Sequence, residues 1–184
     1  MRTAFALMLI GIASIPALAE TDAAPATGPV IEGYGPVYYL PDQPLDPGSD
    51  IDLKAVFDVA AAPDDLSKPN YRLETVARYL NMHARAGVEA QQLSAAVVLH
   101  GRATRAALGQ EAFQKRFGKP NPDAELIQLL AKGGVQIFVC GQSAAASGFR
   151  AEELAPDVEM SLSAMTALVL LQSDGFALIP WGID

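Results

Sequence analysis

The sequence predicts an α/β fold: a three-layer α/β/α sandwich around a mostly parallel five-stranded sheet. Three observations predict it. Five β-rich runs alternate with helical stretches along the chain, and such alternation implies parallel strands, right-handed crossovers and helices on both faces. The run Ala95-Ala96-Val97-Val98-Leu99 is apolar without a break, as strands buried on both faces are. About 165 residues remain after an N-terminal export segment, enough for one domain with a true core.

The export segment comes first. Met1-Arg2-Thr3 carries one positive charge, Ala4 to Ile15 is apolar, and Pro16 precedes Ala17-Leu18-Ala19-Glu20. This is the pattern of a secretory signal peptide cut after Ala19. Its apolar run falls short of the ~20 residues a spanning helix needs. Residues 1–19 are therefore excluded from the fold. A periplasmic or secreted chain with no transmembrane segment is expected. Thr21 to Pro29 reads as a flexible leader. Ile31 to Leu40 holds three tyrosines. That aromatic density points to an arm packed on the domain or on a neighbouring subunit; the rival is a sugar- or peptide-binding strip. Pro41 to Ser49 is turn-rich linker. Leader and arm thus occupy residues 20–50, and the α/β domain residues 51–184.

Ile51 to Val59 alternates and then runs apolar, the first strand. Pro63 to Pro69 breaks the pattern. Leu73, Val76, Ala77 and Leu80 then fall at i, i+3, i+4 and i+7, an amphipathic helix. Asn70 is its N-cap, and Gly87 takes the left-handed position that ends it. Leu93 to Leu99 is the second strand, closed by His100-Gly101. Arg102 to Phe117 reads as a charged, covering helical segment. Asn121-Pro122-Asp123 starts the next helix, with an N-cap, Pro at the first position and an acid in the first turn. Leu126, Leu129 and Leu130 form its buried face, and Lys132-Gly133-Gly134 ends it. Val135 to Val139 is the third strand. It delivers Cys140, followed by a small-residue turn and a short Ala-rich helix. Val158 to Ser163 alternates, a fourth strand. Ala164 to Leu171 is almost wholly apolar and reads as a helix buried on more than one side, its surplus apolar surface assigned to a subunit contact. Asp174-Gly175 turns the chain into a short fifth strand, Phe176 to Pro180.

Charge and cysteine count narrow the function. The chain has 13 Lys and Arg against 21 Asp and Glu, a net charge of −8 that becomes −9 without Arg2. An acidic surface argues against nucleic acid as a partner and otherwise speaks only to solubility. One cysteine rules out an internal disulfide and a C-x-x-C redox pair. One Cys and two His offer no recognisable spacing for a closed zinc site. The sequence contains no G-x-S-x-G elbow, phosphate loop or dinucleotide fingerprint. No cofactor and no metal are expected.

A lone thiol in an exported chain is shielded, paired with another chain, or used. In a parallel sheet all carboxyl ends lie on one edge, where ligands gather. Asp58, His100, Cys140 and Ser161 each lie at or near the end of a predicted strand, so they are expected to share one rim. Gly141, Gln142 and Ser143 belong to the same rim, beside Cys140. Amides at a helix N-terminus stabilise an anion and lower a thiol pKa. Cys140 is therefore the candidate reactive group, with its sulfur expected open to solvent. The alternative is a small buried apolar residue. His100 is the second candidate, as a positive neighbour or proton shuttle; its alternative role is to cap its strand by bonding to backbone. His83 is expected to face solvent.

The residues Phe57-Asp58, Leu80-Asn81-Met82-His83 with Gly87-Val88, Val98-Leu99-His100-Gly101, and Gly134-Val135 through Cys140-Gly141-Gln142-Ser143 together resemble the DsrE/DsrF-like family, its exported branch above all. The Gly33-Tyr34-Gly35-Pro36 arm belongs to the same resemblance, which spans Ile31 to Pro180. The resemblance implies a YchN-like α/β/α sandwich with a five-stranded parallel sheet, assembled as trimers or hexamers. It implies that Cys140 is placed like the cysteine on which cytoplasmic relatives carry sulfane sulfur as a persulfide. Those relatives follow the cysteine with a more basic Ala-rich helix, where this chain has Gly141-Gln142-Ser143.

Two functions are therefore expected. In the first, a periplasmic protein takes sulfane sulfur on Cys140 from a donor and yields it to an acceptor protein or small thiol. In the second, Cys140 merely packs, and an oligomeric module of the same fold binds its partner through the rim or the tyrosine arm.

Overall fold

Strands form where the apolar runs predict them. In the computed structural model, which describes residues 24–40 and 51–180, they are β1 Leu53–Val59, β2 Leu93–Leu99, β3 Gln136–Cys140, β4 Glu159–Ser161 and β5 Ala177–Pro180. They pair in the order β4-β3-β2-β1-β5, each pair parallel. The helices are α1 Tyr71–Arg85, α2 Gln110–Phe117, α3 Ala124–Lys132, α4 Gly141–Ala146 and α5 Ala164–Ser173. The expected signal peptide, its cut after Ala19 and the 41–49 linker lie outside the described residues.

Side chains alternate along a strand, and the register sorts them onto two faces. Phe57, Val59, Val97, Leu99, Ile137 and Val139 pack with Leu73, Val76 and Leu80 of α1 and Leu126, Ile127 and Leu130 of α3. Val56, Ala96, Val98 and Cys140 face the other way, onto Ala164, Ala167 and Leu171 of α5.

The helix ends follow their caps. The Asn70 side chain accepts from the Arg72 amide at 3.2 Å, while its own amide donates to Asp123 Oδ1 at 2.6 Å. This ties the start of α1 to the start of α3. Gly87 is left-handed, and the Val88 amide reaches back to His83 O at 3.0 Å, closing α1 with a Schellman motif. The cap of α3 is Asp123 rather than Asn121; Asn121 instead accepts from the Asp123 amide at 3.0 Å and braces the turn before the helix. One tight turn intervenes before α3 proper begins at Ala124. His83 is half-buried rather than solvent-facing: it bonds Tyr79 O at 2.8 Å and stacks on that ring.

Two segments depart further from expectation. Arg102 to Phe117 is not one covering helix. It splits into a 3-10 segment, Gly101–Ala107, and α2, separated at Leu108, which bridges to Leu154. Ala103, Ala106 and Ala107 are buried in the core. Their small side chains at i, i+3 and i+4 let the segment lie against the sheet despite the neighbouring Arg102 and Arg105. Ala164 to Leu171, read as buried on more than one side, buries only one. Met165, Val169 and Leu170 of α5 are exposed, because no described residue packs outside that helix.

The arm is part of the fold. Ile31 is buried. The fully buried Asn81 of α1 accepts from the Val30 and Ile31 amides at 3.1 and 2.8 Å and donates to the Ile31 and Tyr34 carbonyls at 3.0 and 2.9 Å. Gly35 is required at its position: it sits at φ +60, and a Cβ there would lie 2.2 Å from the Arg78 amide. Tyr34 reaches Glu125 at 2.9 Å, whereas Tyr38 and Tyr39 are exposed.

Candidate functional site

The strand order lines up the rim residues. Ser161 on β4 is the register partner of Cys140. His100 follows Leu99, whose partner is Val139. Asp58 stands on β1 opposite Val98. Two positions on from Val56 and Val98, Asp58 and His100 lie by alternation on the same face as Cys140.

They form two groups rather than one. His100 Nε2 meets Asp58 Oδ1 at 2.7 Å, both side chains about 30% exposed. His100 is thus neither a backbone cap nor bonded to the thiol. Its partner lies on β1, on the side away from β3.

Cys140 is the N-cap of α4. The residue is buried, 4% exposed, rather than standing open to solvent. Burial follows from its inward position beneath α5 and from the close approach of the next residue. A Cβ on Gly141 would lie 2.6 Å from the Ser161 carbonyl oxygen, so only glycine lets α4 begin there. The surroundings of the sulfur are nonetheless rich in donors. The Ser143 amide donates to Sγ at 3.4 Å. Ser163 caps α5, accepting from the Thr166 amide at 3.0 Å, and so places the first amide of that helix, Ala164, on the same sulfur. Burial pushes the Cys140 thiol up. The Ser143 hydroxyl and the amides of Ser143, Ala164 and Gln142 outweigh it, and the net shift is downward from the ordinary thiol value. Two helix N-termini thus converge on one atom, which favours its anion.

The remaining predicted residues hold this arrangement. Gln142 Nε2 donates to Leu162 O at 3.3 Å. Ser143 Oγ accepts from the Gly101 amide at 3.2 Å, coupling α4 to the 3-10 segment. The Ser161 hydroxyl is spent on backbone, on Val139 O at 3.1 Å and Ser163 O at 3.0 Å. The sequence reading missed Ser163 and the Ala164 amide. A serine directly before an apolar run is an N-cap signature, but nothing in the sequence says that this helix points at Cys140. Among the described residues, no cluster of three or more His, Cys, Asp or Glu could hold a metal ion, and no helix is long and apolar enough to cross a membrane.

The sequence pattern of the DsrE/DsrF-like family matches residues 54–181. The fold is similar to that of a protein of unknown function, MTH1491, from Methanobacterium thermoautotrophicum. That match has TM-score 0.51 and 18% identity, covering 71% of this chain and 100% of the other. It is similar also to ychN protein from E. coli, with TM-score 0.51 and 16% identity over 70% and 99% of the two chains. No curated protein matches the sequence significantly.

Proposed function

Because this chain belongs to the DsrE/DsrF-like family, we propose that it is a periplasmic carrier of sulfane sulfur, loaded on Cys140. The Cys140 thiolate attacks the outer sulfur of a persulfide or polysulfide. A new S–S bond forms on Cys140, the donor's S–S bond breaks, and the donor departs as a thiolate that takes up the proton. An acceptor thiolate then attacks the outer sulfur of the Cys140 persulfide and restores the Cys140 thiolate. No net oxidant or reductant is consumed, and one cysteine suffices because the acceptor supplies the other sulfur.

The supporting observation is the convergence of the α4 and α5 N-termini on Sγ, which lowers the thiol pKa and raises the reactive fraction at neutral pH. Alkylation rate should therefore rise with pH and level off with a midpoint below the ~8.5 of a free thiol. Polysulfide treatment should add the mass of one sulfur atom to the wild type and nothing to Cys140→Ser. No adduct at low micromolar donor, with a midpoint at or above ~8.5, would defeat the proposal.

Burial of the sulfur favours a second reading, a non-catalytic binding module in which Cys140 packs. A thiol that stays mute in the native protein, with ligand binding intact in Cys140→Ser, would establish it. In both readings the exposed apolar side of α5 meets further copies of the chain, in a trimer or hexamer.

A further inference from the structure

The carboxyl edge also carries an open cleft of about 470 Å³ between the Gly101–Ala107 segment and α4. We propose that this cleft binds a small carboxylate-bearing organic thiol or its persulfide, and so selects the donor that loads Cys140. The donor half of this proposal rests on the sulfur-carrier reading above.

One wall is cationic. Arg102 and Arg105 are three apart in a 3-10 segment, where residues i and i+3 eclipse, so both line the same side. In a chain of net charge −8, no carboxylate is among the described residues that line the cleft. Arg102 is paired with Asp64, but their side chains are 60% and 93% exposed. Such a pair contributes little, and a ligand carboxylate can take the place of Asp64. Arg105 gives one N–H to the Pro63 carbonyl out of the five that a guanidinium carries.

The other walls suit the rest of such a molecule. Ser143 and Ser147 of the α4 region bring hydroxyls. Phe117 and Phe149 meet edge to face, centroids 6.5 Å apart, and offer apolar surface to a carbon skeleton. Inorganic polysulfide would use the cations and leave the rings idle. The volume lies within the range of small-molecule sites. Ser143 belongs to both places: it lines the cleft, and it is the residue whose amide and hydroxyl act on the Cys140 sulfur. A donor anchored by its carboxylates on the arginines would present its sulfur end at that residue.

The test uses the whole mature protein and two separate readouts. The first is calorimetric binding of S-methylglutathione, which carries the carboxylates and cannot transfer sulfur. Saturable binding to wild type is expected. It should weaken with salt, and about tenfold or more in Arg102→Gln and in Ser147→Glu, the worth of one charge-assisted hydrogen bond. Both positions are exposed, so the variants should melt as the wild type does. The second readout is sulfur loading of Cys140. Loading from glutathione persulfide should fall in the same variants, and by more than loading from inorganic polysulfide, which has no carboxylate to anchor and no carbon skeleton to lay on the rings. Absence of saturable binding, or binding indifferent to Ser147→Glu, would overturn the cleft and leave the sulfur-carrier reading intact. Loading from inorganic polysulfide but not from glutathione persulfide would overturn the donor assignment, and loading from neither donor would overturn the sulfur-carrier reading while leaving the cleft as a binding site.

Discussion

The two faces of the sheet are built differently. One carries α1, α3, the Gly101–Ala107 segment and the arm, and it is sealed by polar side chains that are buried and bonded. Asn70, Asn81, Asn121 and Asp123 each tie one covering element to another. The other face carries α5, which touches all five strands. Five strands about 4.8 Å apart span about 19 Å, and one helix is about 10 Å across. A single helix cannot cover that width, so Leu178, the register partner of Val56 on this face, remains exposed. The thiol lies on this thinner face. The lesson is a division of labour: the thick face holds the fold, and the thin face holds Cys140 and faces outward.

If so, truncation on the thick face should do the most damage. Leu73 is fully buried between α1 and the sheet, and Leu73→Ala should cost about 2–5 kcal/mol, read by urea unfolding. A loss under about 1 kcal/mol would mean that this face is not the stabilising one. Asn81→Ala tests the polar seal next. It leaves the Val30 and Ile31 amides and the Tyr34 carbonyl without their partner. Unpaired buried groups cost about 1–3 kcal/mol, so the arm should release and become open to protease before the domain unfolds. An arm that stays protected would show that its apolar contacts, Ile31 above all, suffice to hold it.

The same asymmetry separates what the sequence made legible from what it did not. The thick face was readable because its helices repeat at helical spacing: Leu73, Val76 and Leu80 announce one buried stripe, Leu126 and Leu130 another. Parallel pairing followed from the alternation, and with it the alignment of Asp58, His100, Cys140 and Ser161 on one edge. The burial of Cys140 was not readable, because it depends on which helix crosses above it. Nor was the pairing of His100 with Asp58, which depends on β1 lying next to β2. In the Arg102–Phe117 stretch two arginines masked the alanines that pack. In α5 the apolar composition has no period, so composition alone could not say that one side would be left exposed.

The smallest expected effect on stability is on the outer side of α5, and it is the sharpest test of the comparison. Leu170 is 63% exposed, so it gains little on folding of a single chain. Leu170→Ser should leave the unfolding free energy of the dissociated chain within about 0.5 kcal/mol of wild type, as exposed substitutions do. An apolar surface that the described residues leave open marks a site of association, and assembly through α5 would make Leu170 part of that contact. The variant should then show a lower mass by light scattering at equal concentration, with an unchanged far-UV spectrum. Such a pair of results would place the function of α5's outer side in association rather than folding. An unchanged mass in both Leu170→Ser and Met165→Ser would instead assign the thin face to a partner other than this chain, while a large stability loss in the dissociated chain would erase the distinction between the two faces.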